Sequence, residues 1–130
     1  MKIYQPTKSQ YALPKSIYYR VIYFIKDYPR LLEEKYAILE ATPPPSETPE
    51  IQRQRNIRAT ETVNIKYSDI EKDIRDIEET LIKAVPPEAR KAIMSSILYG
   101  ESYPLDLDRR TYSRYKQKYI YLLAERRNLI

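Results

Sequence analysis

Apolar residues recur at helical spacing along much of the chain. From Tyr18 through Val21, Ile25, Tyr28, Leu32, Tyr36 and Leu39 every step is three or four, which marks one face of a helix. Pro29 falls inside this stretch, where proline removes a helical hydrogen bond and clashes with the preceding turn. The alternatives are a kink near residue 29 or a break after a capping Asp27, and the unbroken register favours the kink. A second stripe runs through Val63, Tyr67, Ile70, Ile74, Ile77 and Leu81, with "EKDIRDIEE" supplying charges around it. This is coiled-coil-like spacing, and the stripe must pack either on the first helix of the same chain or on a second copy in a homo-oligomer.

The segments between the stripes are punctuated by proline and glycine. "ATPPPSETPE" opens a proline-rich linker assigned to residues 41–59, since it cannot continue a helix and has nothing to bury. In "VPPEARKAIMSSILYG", Pro86 and Pro87 suit a first helical turn, where their missing N–H is unneeded, and Gly100 suits the residue past the end. "ESYPLDLD" reads as a turn, after which Asp108 caps a final helix running to Arg127 or Asn128. The predicted architecture is all-α: a long N-terminal helical arm (1–40), the linker, and a coiled-coil-like helix followed by a C-terminal helical module (60–130).

Composition narrows the chemistry. The 130 residues contain no Cys, no His and one Gly, which removes thiol and imidazole chemistry, soft metal ligands and glycine-rich phosphate loops. No cofactor or metal is expected, and an enzyme using one of the fourteen tyrosines as nucleophile lacks acid and base groups beside the basic helix. The tyrosines suit a small core whose hydroxyls stay at its wet edge. Neither a bilayer-length apolar run nor an apolar signal core in "MKIYQPTKSQYALPKS" is present, so a cytoplasmic protein without membrane association is expected.

Charge is unevenly laid out. Residues 1–26 carry five bases and no acid, residues 106–130 carry seven bases and three acids, and the overall charge is +5, so the stretch between them is net acidic. Between Arg109 and Ala124 there is no acid at all. Ordinary solvated helices mix signs to gain ion pairs, so a one-signed face points to a polyanion. With Tyr112, Tyr115, Tyr119, Leu122 and Leu123 taken as the buried side, the opposite side presents Arg110, Ser113, Arg114, Gln117 and Tyr121. Arg109, Lys116 and Lys118 flank it. That layout suits the major groove of double-stranded DNA, with forked and amide side chains on base edges and border cations on phosphates. RNA stays open, because basic helices with tyrosines bind it as well.

"VPPEARKAIMSSILYG", "ESYPLDLD" and "RRTYSRYKQKYIYLLA" together resemble the RinA/ArpU group of phage and prophage late-gene transcription activators, and "YALPKSIYYRVIYFIKDYPRLLEE" resembles the N-terminal helix of that group. The resemblance implies a C-terminal helix-turn-helix similar to that of sigma factors, with Asp108 as cap, Arg109, Arg110, Ser113 and Arg114 facing DNA, and Tyr112 in the core. "ESYPLD" departs from the sigma pattern, being too short and too proline-bound for the additional helix that precedes the recognition helix. The expected function is sequence-specific activation of late genes, with RNA polymerase or a phage recombinase as further partners. The alternative is a DNA-binding accessory protein of a mobile element, such as a recombination directionality factor or a small terminase subunit.

Overall fold

The computed structural model describes residues 10–40, 49–104 and 108–130, with backbone only for 49–63. Among these the chain is all-helical: α1 (Lys15–Lys26), α2 (Tyr28–Glu40), α3 (Pro49–Ala84), α4 (Pro87–Tyr99) and α5 (Arg109–Arg126). No helix of the described residues is long and apolar enough to cross a membrane. Contacts divide the chain into two compact units, Met1–Tyr28 with Arg75–Ile130, and Pro29–Ile74.

The first helix begins at Pro14, whose carbonyl accepts from the N–H groups of Ile17 and Tyr18 at 3.0 Å each. It stops at Asp27, whose N–H reaches the Tyr23 and Phe24 carbonyls at 3.2 Å. Pro29 offers no N–H to carry the ladder on. The expected arm is therefore two helices interrupted at Asp27, and burial along the stripe differs between them. In α1, Tyr18, Val21 and Ile25 are buried as spaced, with Ile22 beside them. In α2 the buried residue is Leu31, whereas Tyr36 and Leu39 are 57% and 60% exposed. A three-and-four count taken across the interruption therefore does not report burial in both helices.

Residues 49–59, expected to be linker, are the start of α3, while 41–48 lie outside the described residues. Pro49 tolerates the first helical position, and the Glu, Gln and Arg residues after it are good helix formers without any apolar stripe. Further along, Ile70, Ile74 and Ile77 are buried, Tyr67 and Leu81 half-buried, and the Val63 side chain lies outside the described residues.

In the first unit α1, α4 and α5 pack on one another. The last turns of α3 join them through Ile77, which is fully buried, and through the Tyr119 hydroxyl, which donates to the Ile77 carbonyl at 3.1 Å. The end of α3 is closed from the next helix. Arg90 donates through Nε to Val85 O at 2.9 Å and through Nη2 to Ile82 O at 3.0 Å, satisfying carbonyls that a helix C-terminus leaves open. The fourth helix starts as expected, with Pro86 extended and Pro87 at its first turn. It ends on Gly100 at φ 67°, a conformation that costs a residue with a Cβ and not glycine.

One carboxylate joins the acidic middle of the chain to its basic end. Asp76, only 4% exposed, accepts from Arg126 Nε at 2.7 Å and from Arg127 Nη1 at 3.0 Å. Glu79 takes the other side of Arg126 through Nη2 at 2.7 Å. Removing one member of a buried pair leaves the other charge uncompensated, at about 3–5 kcal/mol when both are buried. Here the guanidinium groups are partly open, with side chains 35% and 29% exposed. Asp76→Ala is expected to cost about 2–3 kcal/mol, read as an earlier urea-unfolding midpoint. An unchanged midpoint would show that the pair holds nothing.

Candidate nucleic-acid interface

The basic helix is started by its expected cap. Asp108 Oδ1 accepts from the Arg110 N–H at 3.0 Å, which satisfies one open N–H of the first turn and places a negative charge there. Residues 101–104 before it are not helical, and 105–107 lie outside the described residues.

The helix buries most of the side that its tyrosines suggested, and more beside it. Tyr112, Gln117, Tyr119, Ile120, Leu123 and Ala124 are buried, while Tyr115 and Leu122 are half-buried. The core side extends further round the helix toward Ile120 and Ala124, because wholly apolar side chains gain most from burial and tyrosine tolerates a wet edge. Gln117, expected to face the groove, is 3% exposed and turned inward. Its Nε2 donates to the Tyr11 carbonyl at 2.6 Å, so the amide anchors the segment before α1 onto α5.

The other expected site residues fall into three places. Arg109, Arg110 and Arg114 are exposed, and Ser113 is half-buried. Arg114 and Lys118, one turn apart, line a cleft of about 300 Å³ together with Gln10, Tyr11 and Tyr115. Tyr121 is half-buried beside it, its ring edge-on to Tyr11 at 5.4 Å. Lys116 lies apart from these, in a second cleft of about 350 Å³ that it lines with Ile22, Lys26 and residues 96–100. The residues that sequence reasoning missed are therefore Gln10, Tyr11 and Lys26. The signal available for them was the acid-free basic stretch 1–26, which composition noted without assigning to a surface.

Electrostatics separates the cations of α5 in the same way. Glu79 and Asp76 hold Arg126 more firmly charged than an ordinary arginine. Arg109, Arg110, Arg114 and Lys118 meet no carboxylate among the described residues. Comparison with protein-family models, curated proteins and solved structures gives no match.

Burial, and then the charge of Lys26, hold the Lys116 ammonium below the usual lysine range. The folded chain therefore loses that proton at a lower pH than the unfolded chain does. Between the two values the unfolded state binds more protons, so stability rises with pH across that window, and below it the charged form is a full burden. Lys116→Met keeps the apolar stem and removes the charge, and is expected to raise the melting temperature at pH 7. The gain should shrink as pH climbs through the window. A lower melting temperature would show that Lys116 is held by a favourable contact.

Proposed function

We propose that the chain is a sequence-specific DNA-binding activator of phage or prophage late genes, with α4, the turn and α5 acting as a helix-turn-helix-like module. The observation that carries this reading is the partition of charge on α5. The chain has acids to spare and uses them on Arg126 and Arg127, yet the side chains of exposed Arg109, Arg110 and Arg114 and of half-buried Lys118 meet no carboxylate among the described residues. Like charges held this close favour a partner that neutralises them, and a phosphate backbone supplies charges in a row. Resemblance of the α4, turn and α5 sequences to late-gene activators supports the regulatory role, and points to RNA polymerase as the further partner.

In this reading Arg110 addresses the groove while Arg109, Arg114, Lys116 and Lys118 hold the backbone. Affinity for duplex DNA should fall steeply with salt, at roughly 0.9 per phosphate contact, giving a slope of about −3 to −5 in log affinity against log salt. Arg109→Ala should reduce that slope by about one unit. Arg127→Ala should leave the slope unchanged and lower the melting temperature, because its charge is used inside the fold. Fluorescence anisotropy on duplex DNA at several salt concentrations, with a late-promoter reporter in parallel, checks both. A flat salt dependence removes DNA from the reading, and binding without reporter activity removes the activator role.

A further inference from the structure

The cleft beside α5 has more structure than a phosphate clamp requires. Backbone phosphates are held by cations on an open surface, whereas here Arg114 and Lys118 stand at a mostly apolar recess that two tyrosines, Tyr11 and Tyr115, help to wall. The far wall is fixed in advance. The buried Gln117 amide holds the Tyr11 backbone at 2.6 Å, and Tyr121 meets the Tyr11 ring edge-on, so the ring is placed without help from a ligand. A volume of about 300 Å³ sits at the small end of ligand sites, which run from roughly 300 to 1,000 Å³. Two cations one turn apart, meeting no carboxylate among the described residues and standing beside aromatic rings, make the combination that holds an unstacked nucleotide, phosphate on the charges and base against the rings.

We propose that the Gln10, Tyr11, Arg114, Tyr115 and Lys118 cleft receives one unpaired nucleotide of the bound DNA strand. Its phosphate sits on Arg114 and Lys118, and its base lies against Tyr11 and Tyr115. The proposal rests on the nucleic-acid reading of α5 and adds a preference to it. A base inside a duplex cannot reach the recess, and extruding it costs a few kcal/mol, least where it is already unpaired. The chain therefore binds DNA carrying an unpaired base more tightly than the same duplex fully paired. Arg114 and Lys118 serve one nucleotide together.

The test uses the full chain and two duplexes of one sequence, one fully paired and one with a single bulged 2-aminopurine. The bulged duplex should bind about 10-fold more tightly, and the fluorescence of its 2-aminopurine should be quenched on binding as it stacks on tyrosine. Tyr11→Leu and Tyr115→Leu, each checked for folding by circular dichroism, should abolish both the preference and the quenching while paired-duplex affinity and its salt slope persist. Arg114→Ala should weaken both duplexes. Equal affinity for the two duplexes, or a preference that survives both tyrosine changes, overturns the cleft proposal and leaves the DNA reading standing. Binding to neither duplex overturns both.

Discussion

The rotation of α5 about its own axis is fixed from α3, and the meaning of nearly every cation in the C-terminal part follows from it. Asp76 is a charge with 4% of its surface in water, so it must be matched, and Arg126 and Arg127 match it. Two turns earlier on the same side of α5, the Tyr119 hydroxyl reaches the Ile77 carbonyl. Residues seven apart share a helix face, so these two contacts pin one edge of α5 against the last turns of α3. The exposed and buried positions of the remaining residues are consequences of that pinning and of the packing of α1 and α4.

Parts of this arrangement were legible because a single residue type dictates a local geometry. Pro86 and Pro87 can open a helix and not continue one, Gly100 can adopt a positive φ cheaply, and Asp108 can accept from an N–H of the first turn. Those three signals located α4 and the start of α5, and the all-helical class followed from spacing. The phase of α5 was legible only in part. Tyrosine fits both a core and its edge, so a helix with four tyrosines among its cations supports more than one buried side. Counting Tyr115 inward and Gln117 outward was consistent with spacing alone. What decides against it is long-range, the need of a carbonyl at Tyr11 for a donor 106 residues later in the chain.

The same limit bears on two of the other helices. A stripe counted from 18 to 39 assumes continuous rotation, and Asp27 interrupts it where Pro29 cannot supply an N–H. Residues 49–59 carry no stripe, so periodicity assigned them to the linker, although their composition suits a helix that starts on Pro49. Apolar spacing reports which face is covered. It says little about a helical segment that carries no continuous apolar stripe.

Charge on α5 is consequently sorted by position along the helix. At its C-terminal end guanidinium groups are matched by acids from α3 and contribute to the fold. Toward its N-terminal end the side-chain cations meet no acid among the described residues, and Lys116 is set against Lys26 in a recess where burial disfavours its charge. A fold gains nothing from that second arrangement by itself, since desolvation and like-charge proximity both oppose it. An anion brought to Lys26 and Lys116 relieves both penalties at once, and one brought to Arg114 and Lys118 finds cations already held at a preformed wall. The two clefts lie on different sides of α5, one facing Lys26 and α4, the other facing Tyr11. A polyanion that engages both must therefore pass around the helix rather than touch a single ridge, as the two walls of a DNA groove do around an inserted helix.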